Sequence, residues 1–252
     1  SAIDYLRKKG LAKASKKSSR EANEGAIGVF NNNSYCITIK VNSETDFAAK
    51  SETFLDFLDN LGQIALSANE IENLDKDNFL KLKYNNSTVL EYFNEMIAKI
   101  GENLILSDLL ILSQKNSLTS HYIHNSYRKN IGKIISLIKY ETSNQDDKVI
   151  QLSKNLCMHI AAMKPEALDI NYLDEKFVEN EKNIQKELIA SSGKAAEIVE
   201  KILEGKMKKF YSEVTLLNQK YILDQEKTIN QILNEFPSEY SYKLKSFKIL
   251  TL

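Results

Sequence analysis

The sequence predicts an α+β fold with two antiparallel-sheet subdomains, flanking helices and one inserted helical-hairpin arm. Three observations carry this. Gly25 to Val41 reads as a β-hairpin, because Tyr35, Ile37, Ile39 and Val41 alternate with Cys36, Thr38 and Lys40. Three further strand-like runs, LILSDLLILS (104–113), SLTSHYIHN (117–125) and IGKIISLIKYE (131–141), are separated only by short Asn/Ser/Lys connections, the pattern of an antiparallel meander. Leu173 to Tyr211 is almost continuous helix former with one break at Ser191-Ser192-Gly193, which predicts two long helices folded back on each other.

Taken in order, residues 4–23 carry seven basic residues between Arg7 and Arg20 and too few large apolar ones for a core. They read as the last turn of a preceding small domain and an exposed helical linker. Its basic face either meets an acidic partner or is simply solvated. In the hairpin, Asn31-Asn32-Asn33 supplies the turn, since Asn tolerates left-handed backbone. Ser51 caps an amphipathic helix to Leu66, with Phe54, Leu58, Leu61 and Ala65 on one face. A second helix runs from Asn85 to Ile100, with Ser87 or Thr88 as cap, Val89, Phe93, Met96 and Ile100 as its stripe, and Gly101 as its stop. After the three strands, Gln145 to Met163 is helical, ending before Pro165. The arm has Phe177, Ile184 and Leu188 running toward its turn and Ala195, Ile198, Ile202 and Met207 running away. Tyr221 to Leu223 reads as a strand, Lys227 to Phe236 as a helix, and YSYKLKSFKIL (240–250) as an alternating strand. The expected organisation is therefore a helical remnant and basic linker at 1–24, a core N-subdomain at 25–115, a core C-subdomain at 116–170 and 213–252, and the arm at 171–212.

Lys plus Arg and Asp plus Glu are both 34, so the formal net charge is zero and nothing global points to nucleic acid or a membrane surface. No apolar run approaches the ~20 residues that span a bilayer. Cys36 and Cys157 are too few for a disulfide framework and read as buried thiols in a reducing compartment. Chemistry is sparse. His121 and His124, three apart on a strand, point to opposite faces, and His159 and Cys157, two apart on a helix, do not face each other. HExxH, paired CxxC, GxSxG, Walker and GxGxxG patterns are all missing. The expectation is a protein that is not an enzyme, with no catalytic residues, no metal and no cofactor.

One stretch stands out. In VNSETDFAAK (41–50) an acid and a large ring, Asp46 and Phe47, sit side by side between a strand and a helix. Together with LRKKGLAKASKKSSREANEG (6–25), Gly101-Glu102-Asn103, MHIAAMKPEAL (158–168), SGKAAEIVEKILEGKMKKF (192–210) and LLNQKYILDQEKTINQIL (216–233), it resembles the elongation factor Ts family, the nucleotide-exchange factors of the translation GTPase elongation factor Tu. The matches follow in family order along essentially the whole chain. Two features depart from the family: its small N-terminal three-helix domain is represented only by its last residues, and the chain stops just after a strand-like run where some members continue with a helix.

The resemblance implies a partner, elongation factor Tu, and a task, release of its GDP. It implies that Phe47 wedges between two partner helices near the magnesium and phosphate site. Asp46 either disturbs the magnesium side or caps the following turn. Thr45 completes the motif, and Lys50 offers a charge contact. The family's Ile-Gly pair falls on Ile131 and Gly132, its helix histidine on His159, and its apolar pair on Ile222 and Leu223. Each also has a plain structural reading: strand start and bulge, satisfied core histidine, ordinary core strand. The resemblance implies a bacterial cytoplasm or an organelle matrix. A different class of function, a scaffold self-associating or docking through its arm, fits the long charged hairpin.

Overall fold

The computed structural model describes residues 12, 14–190 and 196–252. They fall into two compact units, one of residues up to Leu137 with Lys248–Leu252, the other Ile138–Phe247.

The first unit is built on a hairpin of β1 (Glu24–Asn31) and β2 (Tyr35–Ser43), paired antiparallel from Glu24 opposite Ser43 to Asn31 opposite Cys36. Asn32 makes its turn: Oδ1 accepts from the backbone N–H of Ser34 and of Tyr35, each at 2.8 Å. Alternation in β2 predicts a strand wet on one face, yet both faces are covered and Thr38 is buried. Ala26, Phe30, Ile37, Ile39 and Val41 pack into the larger core, whereas Ile27, Val29 and Cys36 meet Ile135, Leu137 and Leu250 on the other side. Cys36 is thereby a core thiol, its pKa pushed up to about 11 by burial.

Helix α1 (Asp46–Ala49) is a single turn, and α2 (Glu52–Leu66) lies on the larger core. Ser51 caps α2 by accepting from Phe54 N at 3.2 Å. Phe54, Leu58, Leu61 and Ala65 are buried as their spacing predicts, and Leu55 and Phe57 widen the stripe. Each large side chain so buried stabilises the unit by about 1.5–3 kcal/mol. A short helix α3 (Lys76–Lys81) follows. The predicted helix from Asn85 begins later. Strands β3 (Lys83–Tyr84) and β4 (Ser87–Thr88) form a small hairpin with Asn85 at positive φ, and α4 (Val89–Ile100) starts behind it. Thr88 is its cap, in a reciprocal capping box with Glu91.

The three runs between 104 and 141 do not form one meander. Strand β5 (Leu104–Ser113) pairs with β2, while β6 (Leu118–Arg128) pairs with β7 (Ile131–Glu141). The strand order is β10-β7-β1-β2-β5, where β10 is Lys243–Thr251. The reason lies in β5 itself: Leu109 and Ile111 join one core and Leu110 and Leu112 the other, so β5 belongs beside the doubly covered β2.

Strands β7 and β10 run on into the second unit, which holds α5 (Asp147–Met163), ended by Lys164 in the left-handed region just before Pro165. Helices α6 (Glu175–Ala190) and α7 (Ala196–Val214) form the arm, joined along Ile189, Leu203 and Met207 with Phe210 and Tyr211 near its base. The predicted turn at Ser191-Ser192-Gly193, with Ala195, lies outside the described residues, as do residues 1–11 and 13 of the basic segment. The unit closes with β8 (Lys220–Tyr221), β9 (Asp224–Thr228) and α8 (Ile229–Glu235). Ile222 and Leu223 are therefore the turn of a tight hairpin rather than part of a strand, and Lys227 and Thr228 belong to β9 rather than to the following helix.

Candidate functional site

The backbone leaves β2 at Ser43 and turns immediately into α1. One helical turn has little stability of its own, since nucleation costs more than one hydrogen bond returns. Here it is held in two ways. Thr45 is the N-cap, its Oγ1 accepting from Ala48 N at 3.2 Å. Ala48 and Ala49 are buried, fastening one side of the turn to the core. The side opposite them faces outward, and it carries Phe47, 84% exposed. No other large apolar side chain among the described residues is as open.

Asp46 does not cap the turn; Thr45 does. Asp46 sits in the first turn, where its charge suits the helix N-terminus, and its Oδ2 accepts from Lys50 Nζ at 2.7 Å. That hydrogen bond holds the Asp46 carboxyl below the usual carboxylate range and raises Lys50. Lys50 also lies 5.8 Å from the centre of the Tyr127 ring.

A second layer anchors the turn from a distance. Glu102 Oε2 accepts from Thr45 N at 2.9 Å and Glu102 Oε1 from Thr45 Oγ1 at 2.6 Å. In return Glu44 Oε1 accepts from Asn103 N at 2.7 Å. Gly101 makes this possible: it closes α4 at φ 87°, a left-handed conformation natural to glycine, and so turns Glu102 back toward Thr45. Gly101-Glu102-Asn103 is among the segments that carry the resemblance, but neither it nor residue spacing reveals what Glu102 does; the further hint in the sequence is an acid directly after a helix-ending glycine, where the helix itself has no use for it. An open recess of about 390 Å³ lies beside the ring, lined among others by Phe47, Thr53, Lys99, Ile100 and Glu102.

The other predicted residues separate by exposure. Ile131 is fully buried, and Gly132, opposite Ile27 in the sheet, leaves no room for a side chain, since an added Cβ would lie 2.5 Å from Ile123 Cγ2. Their neighbour Lys133 is the outward residue. It pairs with Glu24 at 3.2 Å, and its charge also favours the ionised form of Asp46. The first unit thus gathers Thr45, Asp46, Phe47, Lys50 and Lys133.

His159, Ile222 and Leu223 belong to the second unit. His159 is fully buried. Its Nε2 is 2.9 Å from Gln219 Oε1, and its Nδ1 accepts from Ile222 N at 3.3 Å. Both bonds are satisfied by one neutral tautomer with the proton on Nε2. Burial lowers its pKa. Gln219, itself buried, donates its amide to the carbonyls of Met163 and Glu213, at 3.3 and 2.7 Å. His159 therefore presents no surface. It fixes the backbone of the turn in which Leu223 stands 56% exposed and Ile222 is half-buried.

Among the described residues no group of three or more His, Cys, Asp or Glu is arranged to hold a metal ion, and no helix is long and apolar enough to cross a membrane. The family model described as "Elongation factor TS" matches residues 44–252. Elongation factor Ts of Rhodospirillum centenum is 39% identical over 233 residues, covering 92% of this chain and 75% of that protein. Elongation factor Ts of Ehrlichia ruminantium (strain Gardel) is 36% identical, covering 93% of this chain and 81% of the relative. Elongation factor Ts of Ehrlichia canis is 37% identical, with 94% and 82% covered.

Proposed function

The chain belongs to the elongation factor Ts family of translation elongation factors, and from that premise we propose that it binds elongation factor Tu carrying GDP and promotes release of the nucleotide. No bond is made or broken in this task. A ligand shifts an equilibrium only by its differential affinity for the two states, so the chain must grip the nucleotide-free partner more tightly than the loaded one. Linkage then obliges it to weaken nucleotide binding by the same factor.

The observation that carries the reading is Phe47, an open ring on a turn too well anchored to fold it away. Burying such a ring in the partner supplies about 1.5–3 kcal/mol, available only to a partner conformation with a gap to receive it. Lys50 holds Asp46 in place beside the ring, and the pair brings charge to the rim of the contact, while Leu223 offers a second apolar contact on a turn braced by His159. The relatives are bacterial proteins, and the bacterial cytoplasm is the compartment this reading assigns.

The test is release of labelled GDP from elongation factor Tu with and without substoichiometric chain. Multiple-turnover acceleration supports the reading; an unchanged rate at saturating chain removes it. Self-association through the arm is the second reading, favoured by Ile184, Leu188 and Ile198 standing exposed on α6 and α7. Light scattering of the chain alone and with the GTPase separates the two.

A further inference from the structure

Building on the exchange reading, we propose that Glu102 is a positioning residue for the reaction, acting on Phe47 through Thr45. Phe47 gains nothing from preorganisation unless the turn that carries it stays rigid before the partner arrives. The burial of Ala48 and Ala49 fixes the inner side of α1, but it does not fix the start of the helix, where the chain emerges from β2. That start is held by a carboxylate 57 residues away in sequence, which takes both donors of Thr45 at once.

The geometry is that of a clasp. Thr45 Oγ1 has one proton and two lone pairs: it gives the proton to Glu102 at 2.6 Å and accepts from Ala48 N at 3.2 Å. Glu102 therefore orients the hydroxyl that caps the helix, and charge-assisted bonds of this kind are about twice as strong as neutral ones. The reverse bond, from Asn103 N to Glu44 at 2.7 Å, prevents the two segments from sliding past each other. The basic linker reinforces the same joint: Asn103 Nδ2 donates to Arg20 O at 2.8 Å, and the Arg20 guanidinium lies 3.5 Å from Glu44. Glu102 also lines the recess beside the ring, so removing it alters the support of Phe47 without removing any of the ring's own surface.

The experiment has two arms. The chain contains no Trp, so Phe47→Trp places a single indole on the turn. Time-resolved anisotropy of that Trp in the free chain is expected to show restricted motion. A several-fold larger wobble is expected when Glu102→Ala is added, and an intermediate one with Glu102→Gln, which keeps one carbonyl acceptor. This arm needs no partner and remains decisive if the exchange reading fails. In the second arm, Glu102→Ala is expected to lower the saturating GDP-release rate about 10-fold, the scale on which small misplacements cost rate, while moving the half-saturating concentration much less. In a Phe47→Ala background the same change should cost nothing further, because the ring it positions is gone. Unchanged anisotropy overturns the proposal, as does an equal loss of rate with and without Phe47. If Glu102→Ala does not fold, Glu102→Gln carries both arms. If the unaltered chain fails to release GDP, the exchange reading falls and the anisotropy alone decides the clasp.

Discussion

Phe47 and His159 show how much a single position discloses in sequence. Phe47 sits where a strand ends and a helix begins, so its own element offers it no core; position alone leaves open whether the ring joins another core, and it is the resemblance that points it outward. His159 lies on a helix at a spacing that leaves its face undetermined. Only the fold reveals that it is buried between Gln219 and the backbone of Ile222. A buried neutral imidazole has a proton linkage with a definite sign. Its folded pKa is depressed below the ordinary value of about 6.5. As pH falls below that value the unfolded chain takes up the proton first, so stability is full above it and declines as pH drops toward the folded pKa. The melting temperature is therefore expected to fall between neutral pH and about pH 5, and His159→Gln to flatten that dependence. Equal slopes in both proteins would contradict this. Gly101 gives a second residue-scale prediction. With φ at 87°, Gly101→Ala should cost about 1 kcal/mol in urea unfolding and loosen the Glu102 clasp with it; a gain in stability would show that the turn does not need a glycine.

At the scale of elements, local signals place caps and stops better than they place element starts, and they do not decide strand pairing. Of the two candidate caps Ser87 and Thr88 the fold takes Thr88, and the cap at Ser51 and the end at Gly101 depend on residues a few positions apart and stand where the sequence puts them. The meander does not, because which strand neighbours which is settled by covering both faces of β2, and that covering involves residues from β1, β5 and β7. The role of Glu102 is not legible for the same reason: its partner is distant in sequence and the bond exists only in the folded chain. Two elements invite tests. Arg128 on β6 bridges Glu52, Asp56 and Asp59 along one face of α2, at 2.9 Å and 2.6 Å for the two aspartates. Arg128→Ala leaves three acids facing one another, and a loss of about 1 kcal/mol is expected in low salt, shrinking as salt is added. A salt-independent loss would mean that the side chain acts by packing. The arm joins along a thin seam, so Leu203→Ala should lower hydrogen-exchange protection in α6 and α7 by about 2–3 kcal/mol while leaving α2 unaffected. Uniform loss throughout the chain would show that the arm does not open on its own.

For the molecule as a whole, the proposed function asks for residues that act by contact with a partner, and among the described residues two turns offer them. Phe47 and Leu223 are open apolar side chains on tight, hydrogen-bonded turns, and each turn is fixed by a residue that itself stays inside or behind it. The family match covers both turns. The central claim is that the Phe47 ring, presented rigidly, forces the GTPase into a state that holds nucleotide poorly. The most direct measurement is the rate of GDP release from elongation factor Tu at saturating chain, unaltered against Phe47→Ala, with thermal unfolding confirming that both are folded. The account predicts a drop of about 10- to 100-fold, the kinetic equivalent of losing one buried ring. A Phe47→Ala chain that is folded and releases GDP at the unaltered rate would contradict it.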